Sequence, residues 1–468
     1  MTDDNGRWPL PEGWEWTTIG AIRKDSSHSI NPAKQPYQYF ELYSVPSYPS
    51  ARPDIVRGSE IGSNKQSIKE NSVLLCKINP RINRVWVVGS YSEYPKIAST
   101  EWIAFDPVAE IYPKYLRYFM MQDAFRDHLA HNSSGVGGSL MRVRPSTIVD
   151  YPFPLAPLPA QHRIVSEIEK QFTRLDAAVA ALRRAKANLA RYKAAVLKAA
   201  VEGRLVAQDP NDEPAAELLA RILAERRAQW EAANPKKTYV EPKGVEVAGL
   251  PELPVGWVWA TVEQLSWDSS YGTSQKCDYE ASGPPVLRIP NIVLGYVDLS
   301  DMKYAINGDE LNSDRSKSLA PGDLLIIRTN GSRKLIGRSA LVRHAFISPH
   351  YFASYLIRFR LVPLGSIADW VTAIWDSEWI RTQVELGAAT SAGQYNISST
   401  VLARLVIPLP PELDQGRIVQ DVDRQLTSVR AIEHVIDANL SRADRLRQGV
   451  LGKAFRGELV ANGEIAEV

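Results

Sequence analysis

The stretch Gln161–Val206, QHRIVSEIEKQFTRLDAAVAALRRAKANLARYKAAVLKAAVEGRLV, decides how the chain is built, because Gln415–Val460 repeats its pattern without a gap. Arg163, Ile164 and Val165 fall on Arg417, Ile418 and Val419. Val196 and Leu197 fall on Val450 and Leu451, and the exit residues Gly203, Leu205 and Val206 fall on Gly457, Leu459 and Val460. A constant shift from start to finish means that both copies kept one length. In the first copy apolar residues recur in steps of three and four at Ile168, Phe172, Leu175, Val179, Leu182, Leu189 and Val196. The second gives Val422, Leu426, Val429, Ile436, Leu440, Ala443 and Val450. That period is the seam of a helical coiled coil. Pro157 and Pro159 precede one helix, Pro410 and Pro411 the other, and Gly203 and Gly457 supply the stops. About 40 helical residues at 1.5 Å each form a rod of roughly 60 Å. A lone rod with one apolar stripe is unstable in water. The expected partner of each copy is the other.

A second mark of duplication lies upstream. Leu10-Pro11-Glu12-Gly13-Trp14-Glu15-Trp16 is matched by Leu253-Pro254-Val255-Gly256-Trp257-Val258-Trp259, and the alternation at each end reads as a strand. Between opening and helix lie short apolar runs of strand length: Val73–Cys76, Val85–Val88, Val286–Ile289, Asp323–Ile327 and Tyr355–Phe359. A helix is expected near Pro113–Leu129 and another near Leu364–Leu386. A Gly/Ser-rich loop follows each, at 132–139 and 387–394. The expected fold class is α+β: two globular domains and two long helices paired as an antiparallel coiled coil, related by a pseudo-twofold internal repeat. The expected boundaries are 1–155, 156–206, 207–252, 253–407 and 408–468. The 207–252 interval reads as a helix over Glu213–Ala233 and then an exposed linker around Pro235 and Pro242.

Composition excludes several classes. Hydrophobic content is 44%, and no run reaches the roughly 18 apolar residues of a membrane helix. The start, MTDDNGRWPLPEGW, lacks a signal-peptide pattern. Cys76 and Cys277 stand far apart, as expected of reduced thiols in a cytoplasmic protein. A net charge of +2 gives no bulk attraction for nucleic acid, so any such role must come from local patches. There is no phosphate loop and no GxGxxG after a strand. Ile78-Asn79-Pro80-Arg81 lacks the second proline and aromatic of an amino-methylating motif. His128 and His131 share a helical face but have no acidic or cysteine partner nearby in sequence, and Glu241-Pro242-Lys243 echoes a nuclease motif from within a linker. No catalytic or metal-binding residue is expected.

The strongest local signal is positive. No acidic residue occurs from Leu324 to Ala368, a stretch that holds Arg328, Arg333, Lys334, Arg338, Arg343, Arg358 and Arg360. Its turn joins Arg328, Thr329, Asn330, Ser332, Arg333 and Lys334, with Arg338 beyond it. Arginine can pair two donors to guanine and asparagine can pair to adenine, while Ser, Thr and Lys hold phosphates. The first domain has a shorter counterpart in Lys77, Asn79, Arg81, Asn83 and Arg84. Ser134 and Ser139, and Ser391, lie in loops able to turn backbone N–H groups to phosphates. Gln394, Tyr395 and Asn396 are candidate base readers, and Arg142 and Arg144 candidate phosphate contacts. These are the expected DNA-binding residues.

Taken together, the chain resembles the specificity subunit of type I restriction-modification enzymes. The residues that carry this are Pro157-Leu158-Pro159 with Gln161, Arg163, Ile164 and Val165, and the exit Gly203-Arg204-Leu205-Val206. Their second set is Pro408-Leu409-Pro410-Pro411 with Gln415, Arg417, Ile418 and Val419, and the exit Gly457-Glu458-Leu459-Val460. Tyr271-Gly272-Thr273-Ser274 and Pro321–Ile326 look like target-recognition sequence of that family. The family's frequent Glu-Gln at the helix start is Ala160-Gln161 and Asp414-Gln415 here.

The resemblance implies a subunit without a catalytic site. Each domain would read one half of a split, asymmetric DNA target, with the helices as the spacer. Two modification (methyltransferase) subunits would dock on the helical part and methylate adenine with S-adenosylmethionine. Restriction subunits would translocate and cut DNA with ATP and magnesium. Two other readings compete: a stand-alone endonuclease with an unrecognised site, and a coiled-coil scaffold that binds no DNA. If the helix is a ruler, adding about four residues, one helical turn, within 177–193 should change the preferred gap and leave both half-sites intact. Methylome sequencing that showed altered half-site bases would reject the ruler.

Overall fold

A computed structural model describes residues 8–24, 28–135, 141–293, 295–313, 315–391 and 393–460. The helices are α1 (Pro113–Met120), α2 (Asp123–His131), α3 (Leu158–Val201), α4 (Ala215–Ala233), α5 (Gly308–Ser313), α6 (Ile367–Ile374), α7 (Glu378–Gly387), α8 (Ser399–Ala403) and α9 (Glu412–Phe455). The two repeats are α3 and α9, each of 44 residues. Both start earlier than the sequence expectation. Leu158 opens α3 and Pro159 lies in its first turn, where a missing N–H has no partner to lose. Their ends are alike. Arg204 N–H donates to the Ala199 carbonyl at 2.8 Å and Gly203 N–H to that of Ala200 at 3.2 Å. Glu458 and Gly457 donate to Lys453 and Ala454 in the same way, at 2.9 and 3.1 Å. Gly203 and Gly457 have φ of +65° and +75°, the left-handed stop that this double bond requires.

The chain divides into two compact units, Met1–Arg184 with Ile436–Val468, and Ala185–Val435. The division falls inside both long helices, so each unit holds one globular head and part of each rod.

In the first unit, Glu15–Thr18 pairs antiparallel with Pro152–Leu155. Val73–Cys76 is the middle strand of a three-stranded sheet between Val85–Val87 and Trp102–Phe105. Its side chains alternate between two cores, as a strand buried on both faces must. Leu74 and Cys76 join Tyr43, Trp86 and Trp102. Val73 and Leu75 join Tyr115 and Phe119 of α1, Ile164, Val165 and Ile168 from the start of α3, and Leu451, Ala454 and Phe455 from the end of α9. The Phe455 ring lies 4.9 Å from Tyr115 and 5.3 Å from Phe119. Arg447 of α9 pairs with Asp176 of α3. A start meeting an end makes the two helices antiparallel within this unit. A five-stranded sheet, in the order Ser29–Ile30, Lys65–Ser67, Lys96–Ser99, Tyr39–Tyr43 and Asp54–Arg57, completes the head.

The second unit repeats the plan with more strands. Val258–Thr261 pairs with Val406–Leu409. Asp323–Ile327 lies between Leu356–Leu361 and Ser339–Leu341 in a six-stranded sheet. Leu324 and Ile326 share a core with Trp370 of α6, Val196, Leu197 and Ala200 from the end of α3, and Ile418 and Val422 from the start of α9. The Tyr192 hydroxyl donates to Gln425 at 2.5 Å, again a late residue of α3 against an early one of α9.

Two sequence expectations change in detail. The helix expected near Pro113–Leu129 is two helices, α1 and α2, and that near Leu364–Leu386 is also two, α6 and α7. The helix expected over Glu213–Ala233 is α4, and it packs on the second core. Leu218 and Ile222 of α4 are buried in the second core, and Arg226 donates to the Glu263 and Ser266 carbonyls at 3.0 and 2.9 Å. No described helix is long and apolar enough to cross a membrane.

Phe455 is fully buried against α1. Phe455→Ala should therefore destabilise the first unit by about 3–5 kcal/mol. Hydrogen exchange should quicken at Pro113–Met120 and stay unchanged at Ile367–Ile374.

Candidate nucleic-acid interface

The same backbone device follows the middle strand in each head. In the first, Lys77 N–H donates to the Glu101 carbonyl at 2.8 Å, and the Lys77 carbonyl accepts from Val143 N–H at 3.0 Å. Asn79 N–H donates to Met141 at 2.8 Å, and Ile78 and Ser134 both bridge to Arg142. In the second, Arg328 N–H donates to the Tyr355 carbonyl and the Arg328 carbonyl accepts from Ile397 N–H, both at 2.9 Å. Thr329–Asn330, Gln394–Asn396 and Ala389–Ser391 then form a three-stranded sheet, with Thr329 opposite Asn396 and Asn330 opposite Tyr395. Lys77 thus occupies the place of Arg328, and Arg142 that of Asn396. Segments picked out separately in the sequence, the basic turn and the Gly/Ser loop, are brought together in both heads.

Side chains differ from head to head. In the first, Lys77, Ser134, Arg142 and Arg144 line an open cleft of about 680 Å³ with Thr100 and Glu101. The Arg142 guanidinium forks onto Glu101 at 3.1 and 2.9 Å, which raises its pKa further. Arg81 and Arg144 are exposed. Asn79 sits at φ +49°, a left-handed position that asparagine tolerates. Two candidates turn inward instead. Asn83 donates to the Met120 carbonyl at 2.8 Å, and Arg84 to the Ile78 carbonyl at 3.3 Å and the Cys76 sulfur at 3.6 Å. These two brace the turn. Ser139 lies outside the described residues.

In the second head, the Thr329 hydroxyl donates to Asn396 Oδ1 at 2.7 Å, and Asn330 Oδ1 accepts Ser332 N–H at 2.8 Å. Ser332, Arg333, Lys334 and Gln394 are exposed, and Arg328, Arg338, Tyr395 and Asn396 are half-buried. Arg333 pairs with Glu385 at 3.1 Å. Much of the basic stretch is neutralised in space by acids remote in sequence. Arg343 pairs with Asp369. Arg360 forks onto Asp323 at 2.6 and 2.8 Å. Arg358, 1% exposed, pairs with Asp268 and donates to the Ser316 and Ser318 carbonyls at 3.1 and 3.2 Å. Burial pulls the Arg358 pKa below the usual guanidinium value, against the pull of Asp323. Arg358 and Arg360 hold the sheet together; they are not part of a positive surface. Among the described residues, Arg328, Lys334 and Arg338 form no ion pair.

Tyr271 and Ser399 escaped the sequence reading of the site. The Arg328 guanidinium lies over the Tyr271 ring, 4.8 Å from its centre. The Tyr271 hydroxyl accepts from Ser399 N–H at 3.1 Å and from the Ser399 hydroxyl at 3.0 Å. Those bonds hold its pKa below the ordinary tyrosine value, and the Arg328 charge adds to the effect. The only signal in the sequence was the family-like Tyr271-Gly272-Thr273-Ser274.

Among the described residues, no three His, Cys, Asp or Glu side chains gather to hold a metal ion. His128 Nε2 lies 3.1 Å from the Thr147 carbonyl and His131 Nδ1 2.7 Å from that of Asp127. Glu241 faces Arg227 at 3.9 Å.

No family model matches the sequence. Whole-chain relatives do. The chain is 22% identical over 488 aligned residues to the type I restriction enzyme EcoAI specificity subunit of Escherichia coli, covering 93% of this chain and 81% of that one. It is 25% identical over 355 residues to the EcoKI specificity subunit of E. coli (strain K12), covering 76% and 67%. The StySPI specificity subunit of Salmonella potsdam matches at 24% over 363 residues, covering 76% and 68%. The chain is thus similar over most of its length to type I restriction specificity subunits. Its fold agrees with a chain from a solved structure of a type I R-M system, at a TM-score of 0.65 and 20% identity, over 96% of this chain and all of that one. In this chain the two heads share a backbone frame and differ in the side chains mounted on it.

Arg358→Ala should cost the second unit about 1.5–3 kcal/mol, because it removes a buried charged donor with its bonds to Asp268 and to the Ser316 and Ser318 carbonyls. Lys334→Ala should stay within about 0.5 kcal/mol. Thermal denaturation of both variants separates the structural arginine from the surface lysine.

Proposed function

We propose that the chain is a non-catalytic DNA-recognition subunit that binds double-stranded DNA, reads a split and asymmetric target, and directs partner subunits to it. The repeated backbone device supports this reading. One frame carries Lys77, Asn79, Ser134 and Arg142 in the first head, and Arg328, Asn330, Gln394 and Asn396 in the second. Two readers with one scaffold and unlike side chains suit two unlike half-sites. Double-stranded DNA, two modification subunits and the restriction subunits are the partners. S-adenosylmethionine, ATP and magnesium belong to those partners, and the complex works in the cytoplasm, where Cys76 and Cys277 stay free.

The direct test is to map methylated adenines in cells that carry this chain with its modification subunit. The expected target has two different halves with a constant gap; a palindromic or uninterrupted target rejects the proposal. DNA cleavage by the purified chain with magnesium alone would favour the endonuclease. Exposed Arg81 and Lys334 are the expected phosphate contacts. Changing either to Ala in the assembled complex should weaken binding to all sequences alike, and lower the slope of log affinity against log salt by about 1.

A further inference from the structure

Arg328 differs from four of the five other arginines of its basic stretch; Arg338 also lacks an ion pair among the described residues. Arg333, Arg343, Arg358 and Arg360 each face a carboxylate. Arg328 is half-buried, yet among the described residues its guanidinium has neither a carboxylate nor a hydrogen-bond acceptor, and its Nε is fully buried without a partner. A planar cation partly removed from water and left unpaired is a position with an unmet acceptor.

Its surroundings hold it still. The backbone is pinned on both sides, by the Tyr355 carbonyl and by Ile397 N–H. The guanidinium lies against Tyr271, and Ser399 holds the Tyr271 hydroxyl with two bonds. The chain after Tyr271 is equally confined. A Cβ on Gly272 would lie 2.2 Å from the Phe352 carbonyl oxygen and 2.3 Å from that of Ala353, so only glycine lets the strand pass there. The Tyr271 ring confines the guanidinium on one side, and with Nε enclosed, the Nη pair is the end left to meet a ligand.

A phosphate accepts donors from many directions and gains little from such fixing, whereas a base edge must be met in one plane. We propose that Arg328, positioned by Tyr271 and Ser399, reads a guanine in the second half-site through paired bonds to O6 and N7. This deepens the DNA-recognition reading and rests on it. The equivalent place in the first head carries Lys77, a point donor with no aromatic ring over it among the described residues. The two heads therefore differ at matched positions in the manner an asymmetric target requires.

The test uses the full chain assembled with its modification subunits, and selects bound sites from DNA randomised through the second half-site. Arg328→Lys keeps the charge and loses the fork. One position fixed as guanine by the wild type should become permissive, with discrimination there falling roughly 5- to 150-fold. The first half-site should stay unchanged, which also reports on assembly. Tyr271→Phe, which keeps the ring but frees it from Ser399, should loosen the guanine less than loss of the ring does. Tyr271→Ala should loosen that same position, and gives an independent reading should Arg328→Lys disturb the head. An unchanged consensus with uniformly weaker binding would make Arg328 a phosphate contact and overturn the proposal, as would loosening at a position other than guanine. A wild-type complex without any sequence preference would instead reject the DNA-recognition reading itself.

Discussion

Neither head closes its own core. The sheet and short helices of the first need Ile164, Val165 and Ile168 from the start of one long helix and Leu451, Ala454 and Phe455 from the end of the other. The second needs Val196, Leu197 and Ala200 from an end and Ile418 and Val422 from a start. Each of the larger of these side chains (Val, Leu, Ile and Phe) contributes about 1.5–3 kcal/mol when removed from water. In turn, the rods find in the heads the apolar partners that a single-striped helix lacks. Head and helix stabilise one another, so the equal length of the two helices is part of the fold and not an ornament on it.

Electrostatics sorts the arginines of the second head into two populations. Where a guanidinium is buried, an aspartate answers it: Asp268 for Arg358 and Asp323 for Arg360. Such matching is obligatory, since an unpaired buried charge is costly. The cations left over, Arg328, Lys334 and Arg338, lie on or beside the small sheet that joins the turn to the Gly/Ser segment. The proposed recognition surface is thus what remains positive after the core has satisfied itself.

The rods were legible in the sequence because helix contacts follow a short period that repeats along the chain. The middle strands Val73–Cys76 and Asp323–Ile327 were legible as continuous apolar runs. Sheet order was not, since Tyr39–Tyr43 pairs in parallel with Lys96–Ser99 across many intervening residues, and no local pattern records that choice. Charge along the sequence is a poor guide for the same reason: the acids that neutralise Arg343, Arg358 and Arg360 lie outside the basic stretch. Asn83 and Arg84 looked like surface groups, yet they are spent on carbonyls of the first head. Tyr271 was passed over because its importance lies in the cation stacked upon it, a relation between strands distant in sequence.

Gly457 follows the last turn of α9, and a Cβ there would lie 2.1 Å from Pro11 Cγ, so the final helix is seated against the opening of the first head. This inverts the usual order of folding during synthesis, in which domains mature from the N-terminus onward. Residues 185–435 emerge from the ribosome as a complete set, while the first head waits, its core open, for Phe455 to be translated. Until Phe455 is made, the faces of Tyr115 and Phe119 that it covers have no partner from the last helix.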